Sequence, residues 1–183
     1  MTASSDLSAA AAGGFAALLA ACRHSAVHLE MRDTYAVADE VERIEAWRAG
    51  DRLDPADRAS WWRPWLDTIA TTVARGVVVR RARIVSEPVS EYTRYLHSMT
   101  FTNVAAGEEV RWLPRIEAST IALPGSDFWL FDGKVVMFNH FTGDGDWADP
   151  EDTVSDDAAV AKLCATAFEA VWEKAVPHEH YTV

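Results

Sequence analysis

The sequence is short of cysteine, lysine and clustered glycine, and each shortage closes off a class of chemistry. Cys22 and Cys164 are its only cysteines, so it holds neither a disulfide framework nor a paired-thiol zinc or redox motif. Both fall on apolar helical patterns, where a thiol packs as a small hydrophobe in a reducing compartment. The nine glycines are scattered, and no phosphate-cradling loop, G-x-S-x-G elbow or H-E-x-x-H helix occurs. Apolar runs fall short of the ~20 residues a membrane-spanning helix needs. Leu19-Ala20-Ala21-Cys22 has the spelling of a lipobox, but no Lys or Arg precedes it, and Phe15, Leu18, Leu19 and Cys22 keep amphipathic-helix spacing.

Positive charge is also scarce. Only Lys134, Lys162 and Lys174 accompany the arginines, and 28 acids against 17 bases give a net charge of −11. A field of that sign repels phosphate backbones and anionic lipid, so the expectation is no nucleic acid, no membrane surface and a cytoplasmic location.

What is present is core material: hydrophobic residues make up 49% of 183 residues, with eight tryptophans. That suits one domain with a sizeable core. Residues 1–7 read as a disordered tail and 8–183 as a single domain. Ser8 to Arg23 reads as one alanine-rich helix, although Gly13-Gly14 is a pair that helices disfavour. Ala26 to Tyr35 alternates as a strand. Residues 37–49 read as a short acidic helix. Asp54-Pro55 opens a helix through Val73 that Pro64 kinks or breaks. Val77 to Ser86 is the best strand, β-branched enough for a sheet interior. Glu91 to Ser98 reads as a helix, and Glu109 to Leu113 as a strand. Phe128–Phe131 and Val135–Phe141 pair across the Asp132-Gly133 turn. Residues 143–157 read as an acidic loop, 158–175 as a helix capped by Asp156 or Asp157, and 177–183 as a polar tail. This succession predicts an α/β or α+β fold, a single mixed sheet flanked by helices.

Strand alternation puts His28, Glu30 and Arg32 on one face, with Asp33 and Tyr35 following. They form either a pocket floor with Glu30 as a base or a buried Glu–Arg network. Arg81 and Arg83 share a face, with Arg80 on the other. They either grip an anion or pair with Glu30, Asp33, Glu87 or Asp132. His140, between Asn139 and Asp144 and Asp146, is a candidate base or loop residue; its neighbours fall short of a metal-ligand set, and no cofactor is implied. Any ligand is expected to meet Arg32, Asp33, Arg81, Arg83, Glu87, Arg111, Trp129 and Asn139. If the protein is an enzyme, Glu30, Asp132 and His140 carry acid–base chemistry on an anionic substrate. Both readings require the arginine strand and the His140 strand to lie side by side and open into one hollow.

Several blocks resemble one family together: His28-Leu29-Glu30-x-Arg32-Asp33-x-Tyr35, Arg83 to Pro88, Asn103 to Glu108, Asp127 to Asp132, and Phe168 to Trp172 with Ala175 to His178. They resemble the actinobacterial DUF6879 family. The resemblance implies no catalytic residues, and it implies association with helix-turn-helix regulators as protein partners. The strand order is also similar to one half of the phospholipase D-like fold. That superfamily's His-x-Lys and later Asp are not kept, since Thr142 and Trp147 follow His140 in those places. A non-catalytic, regulatory module binding a small molecule or a protein is the leading expectation.

Overall fold

A computed structural model describes residues 3–36 and 40–183. The strands are Ser25–Glu30 (β1), Val78–Val85 (β2), Glu109–Pro114 (β3), Asp127–Phe131 (β4), Val135–Phe141 (β5), Trp147–Ser155 (β6) and Val176–Pro177 (β7). They form one seven-stranded sheet in the order β6-β5-β4-β1-β2-β3-β7. β1, β2 and β3 run parallel; every other pairing is antiparallel. The helices are Ala3–Ala10 (α1), Gly14–Ala21 (α2), Val41–Arg48 (α3), Arg58–Trp61 (α4), Pro64–Ala74 (α5), Glu91–Met99 (α6), Phe101–Ala105 (α7) and Ala158–Lys174 (α8). This is the mixed sheet flanked by helices that the element order implies.

The period of two sorts the sheet into faces. Val27, Leu29, Ala82, Ile84, Phe128, Leu130 and Val136 pack on α8 through Cys164, Phe168 and Val171. Each such fully buried large side chain contributes roughly 1.5–3 kcal/mol. α8 starts where Asp157 accepts from the Ala159 N–H at 2.7 Å. On the opposite face Ala26, Val79, Phe131, Val135 and Met137 pack on Leu18, Leu19, Leu66 and Ile69 of α2 and α5. The β4–β5 turn has φ +50° at Asp132 and +66° at Gly133, the geometry that Asp-Gly favours.

The structure corrects several sequence expectations. The disordered tail fails at Leu7, which lies in α1 and is buried. β1 ends at Glu30, so Arg32, Asp33 and Tyr35 stand on a loop. Of the acidic helix expected over residues 37–49, α3 covers Val41–Arg48, and residues 37–39 lie outside the described residues. Asp54 caps a turn rather than a helix, accepting from the Ala56 N–H at 2.8 Å; helix begins only at Arg58 and restarts at Pro64. Within the expected acidic loop, Trp147–Ser155 forms the edge strand β6, which carries charges and Pro150 because an unpaired edge faces water, while residues 143–146 remain a turn. The C-terminal stretch is docked through β7 and buried Tyr181.

Candidate ligand-binding site

The register of β1 and β2 sets His28 beside Arg81 and Glu30 beside Arg83, with all four side chains buried at the carboxyl ends of the parallel strands. Buried charges persist only when paired. Glu30 Oε1 accepts from Arg81 Nη1, and Oε2 accepts from Arg83 Nε at 2.5 Å. Arg81 Nε donates to Glu108 Oε1 at 2.7 Å, and Arg83 Nη1 donates to the Thr100 hydroxyl at 2.8 Å. Burial opposes the charge on Glu30, but Arg83 and Arg81 outweigh it and hold the carboxyl well below its usual range. Two guanidinium groups thus meet two carboxylates, and this network is internally neutral.

His28 lies flat on Trp129, with centroids 4.3 Å apart and planes 9° apart. Its Nδ1 donates to the Phe128 carbonyl at 2.9 Å, because a carbonyl only accepts; Nε2 stands 3.3 Å from Glu30 Oε1. Next along the floor, the Tyr35 hydroxyl donates to Asp127, which also accepts from the Met31 N–H at 2.8 Å. Burial raises the Asp127 carboxyl, and burial followed by the charges of Glu30 and Asp127 pushes the Tyr35 phenol far above its normal value.

Over this floor opens a hollow of about 490 Å³. Its aromatic walls include Trp65 from α5, Tyr92 and Tyr95 from α6, and Trp129 from β4. Phe141 and Trp147 stack at 4.4 Å on its β5–β6 side. Arg43 and Arg63 approach from α3 and from the start of α5. Among the described residues, no group of three or more His, Cys, Asp or Glu is disposed to hold a metal ion.

Of the residues singled out in the sequence, His28, Glu30, Tyr35, Arg81, Arg83, Trp129 and Asn139 line this hollow, whereas His140, Asp132, Arg32, Asp33, Glu87 and Arg111 stand outside it. His140 points into a separate hollow beside Arg32, with Nε2 2.9 Å from the Thr153 hydroxyl. Its strand is separated from β2 by β4 and β1, so the arginine and histidine strands do not lie side by side; both border the main hollow, β5 through Asn139 and Phe141, but His140 itself does not. Asp132 sits at the far end of the sheet, where it accepts from the N–H groups of Arg23, His24 and Ser25. Arg32 donates to the Thr142 carbonyl at 2.9 Å. Asp33 binds Ser86 and Arg115, and Glu87 accepts from the Tyr181 hydroxyl. Arg111 faces α8, donating to the Trp172 carbonyl. Sequence reasoning missed Arg63, Tyr92, Tyr95 and Glu108. The i, i+3 spacing of the two tyrosines on α6 was the available signal.

A family model described as Domain of unknown function (DUF6879) matches residues 13–183. The chain belongs to the DUF6879 family. No curated protein matches the sequence. Among solved structures, this DUF6879 chain is similar to TrmBL2, an archaeal chromatin protein with a novel mode of DNA binding. That match has TM-score 0.45 and 18% identity, covering 86% of this chain and 47% of TrmBL2, so this chain spans about half the length of TrmBL2. It is also similar to Nuc, a phospholipase D family member from Salmonella typhimurium (TM-score 0.49, 10% identity, 88% and 86% covered). NucT from Helicobacter pylori gives TM-score 0.48 and 13% identity, with 96% and 92% covered. These are likenesses of fold. They nonetheless correct the exclusion of nucleic acid drawn from net charge, because a DNA-binding chromatin protein is among the chain's structural neighbours. No helix among the described residues is long and apolar enough to cross a membrane.

Proposed function

We propose that this protein is a non-catalytic module that binds a small molecule in the hollow above Glu30, Arg81 and Arg83. The observation that carries the reading is the hollow itself, about 490 Å³ with aromatic walls and a floor of convergent polar groups at the carboxyl ends of β1 and β2. Ligand sites favour such places, and this volume suits a metabolite-sized molecule. The enzyme alternative needed Glu30, Asp132 and His140 to converge. Glu30 is committed to two arginines, and the other two stand outside the hollow. A rigid, neutral floor suits holding a ligand better than moving a proton.

The test is a thermal-shift screen of metabolites on the natural protein and on Met99→Trp, which fills the hollow from α6. A ligand at about a hundred times its Kd stabilises by about 2.7 kcal/mol. Compounds that raise Tm in the natural protein and not in the filled variant support the reading. A screen that moves neither protein, or both alike, overturns it.

A further inference from the structure

The arginines that line the hollow are not equivalent. Arg81 and Arg83 have their N–H groups engaged by Glu30, Glu108 and Thr100. Arg63 is half-buried and, although its carbonyl accepts from the Leu66 N–H at 2.8 Å, its guanidinium has no hydrogen bond or ion pair among the described residues. Its electrostatic neighbours include two further cations, Arg43 and Arg81, and one acid, Glu40, whose carboxylate already accepts from the Tyr92 hydroxyl at 2.7 Å. Because the inner network is neutral, Arg43 and Arg63 against Glu40 leave this end of the hollow net positive among the described residues. The opposite end carries Asp127, Glu151 and Asp152. Among the described residues the hollow is therefore polarised, with its uncompensated cation on the α3–α5 side.

We infer that Arg63 is an anion-recognition residue: the ligand carries a carboxylate, phosphate or sulfonate group to its guanidinium and a flat apolar body between Trp65, Trp129, Tyr92 and Tyr95. This rests on the proposal that the hollow binds a small molecule, and it adds the ligand's charge and the place of that charge. A half-desolvated guanidinium without a partner is costly, and its planar fork matches two anionic oxygens at once. Burial and then the Arg43 charge lower the Arg63 pKa, so the structure already disfavours the charge that an arriving anion would restore. The indole and phenol faces offer stacking area beside it.

The experiment compares two probes of nearly the same body: 8-anilinonaphthalene-1-sulfonate, an anion, and N-phenyl-1-naphthylamine, which lacks the sulfonate. Both are titrated by fluorescence into the natural, folded protein, Arg63→Gln and Arg63→Lys. The expected result is that Arg63→Gln weakens the sulfonate tenfold or more and leaves the uncharged probe within about twofold, while Arg63→Lys recovers most of the sulfonate affinity. The uncharged probe reports an intact hollow in each variant, so misfolding cannot imitate the effect. If Arg63→Gln binds the sulfonate as well as the natural protein, or loses both probes equally, the anion assignment is overturned and the ligand-binding proposal survives. If the natural protein binds neither probe, both fall.

Discussion

Arg83 faces Glu30 in register across β1 and β2 and donates from Nε to Oε2 at 2.5 Å. The contact is buried, so its worth lies in what its loss would leave behind. Glu30→Gln removes the one carboxylate shared by Arg81 and Arg83 and strands a guanidinium charge away from water. The expected cost is about 3–5 kcal/mol in urea unfolding. A variant within 1 kcal/mol of the natural protein, at about the precision of such measurements, would show that Glu30 is not the centre of the network.

Asp132 does similar work at the opposite end of the sheet. Burial disfavours its charge, but the Cys22 thiol and the N–H groups of Ser25, His24 and Arg23 outweigh burial and lower its pKa. A carboxyl whose folded pKa lies below its unfolded one stabilises above the unfolded value of 3.8, and that contribution is lost as pH falls through the lower folded value. Asp132→Ala should cost about 1–3 kcal/mol at neutral pH, and the gap from the natural protein should shrink under acid. A gap independent of pH would mean the side chain acts through packing alone.

Some of this architecture is visible in residue order, for identifiable reasons. Val78–Val85 announces itself through the β-branched residues at its two ends, which suit a doubly covered strand, and Asp132-Gly133 because two positive φ angles in succession suit few residues. The Glu30–Arg81–Arg83 network was one of two open readings, since a period of two places those charges on a single face. β6 was hidden because an edge strand needs no apolar alternation; Asp149-Pro150-Glu151-Asp152 looks like a loop. Asn139 and His140 were grouped by adjacency, yet successive strand residues point to opposite faces, and of the two only Asn139 borders the main hollow. Arg63 was invisible for another reason. Its isolation depends on what α3, α6 and β2 bring near it, which no local pattern encodes.

The two thiols should be inert in the native protein. Burial, then the hydrogen bond and charge of Asp132, pushes Cys22 up to about 12. Burial alone pushes Cys164 up to about 11. Since the thiolate is the nucleophile, neither should react with Ellman's reagent at mildly alkaline pH until guanidinium unfolds the chain, when both should react. Release of one equivalent from the folded protein would contradict the burial of one of the two thiols, and its persistence in Cys164→Ser would place the fault at Cys22.

The C-terminal segment should give the protein a pH-dependent attachment. β7 pairs with β3 through Trp112 and Val176, and Tyr181 stacks on Trp112 with planes 5° apart. Inside this contact the Trp112 indole N–H points at His178 Nδ1 from 3.3 Å, and the His97 and His178 rings lie 4.6 Å apart. Burial, then the nearby His97 and Arg83, lowers His178 from 6.5 to about 4. Burial also lowers His97, whose Nε2 donates to the Tyr181 carbonyl at 2.9 Å. The detached segment therefore binds a proton more readily than the docked one, so the docked state loses stability as pH falls from 6.5 towards 4 and is least affected above 6.5. Protonation at Nδ1 also abolishes the acceptor that faces Trp112. In His178→Gln an amide oxygen can accept from the indole without titrating, so the variant should lack this part of the acid sensitivity. Tm measured against pH for both proteins isolates the effect from carboxylates common to both. Parallel curves between pH 6.5 and 4 would leave the histidine without a role in fastening the tail.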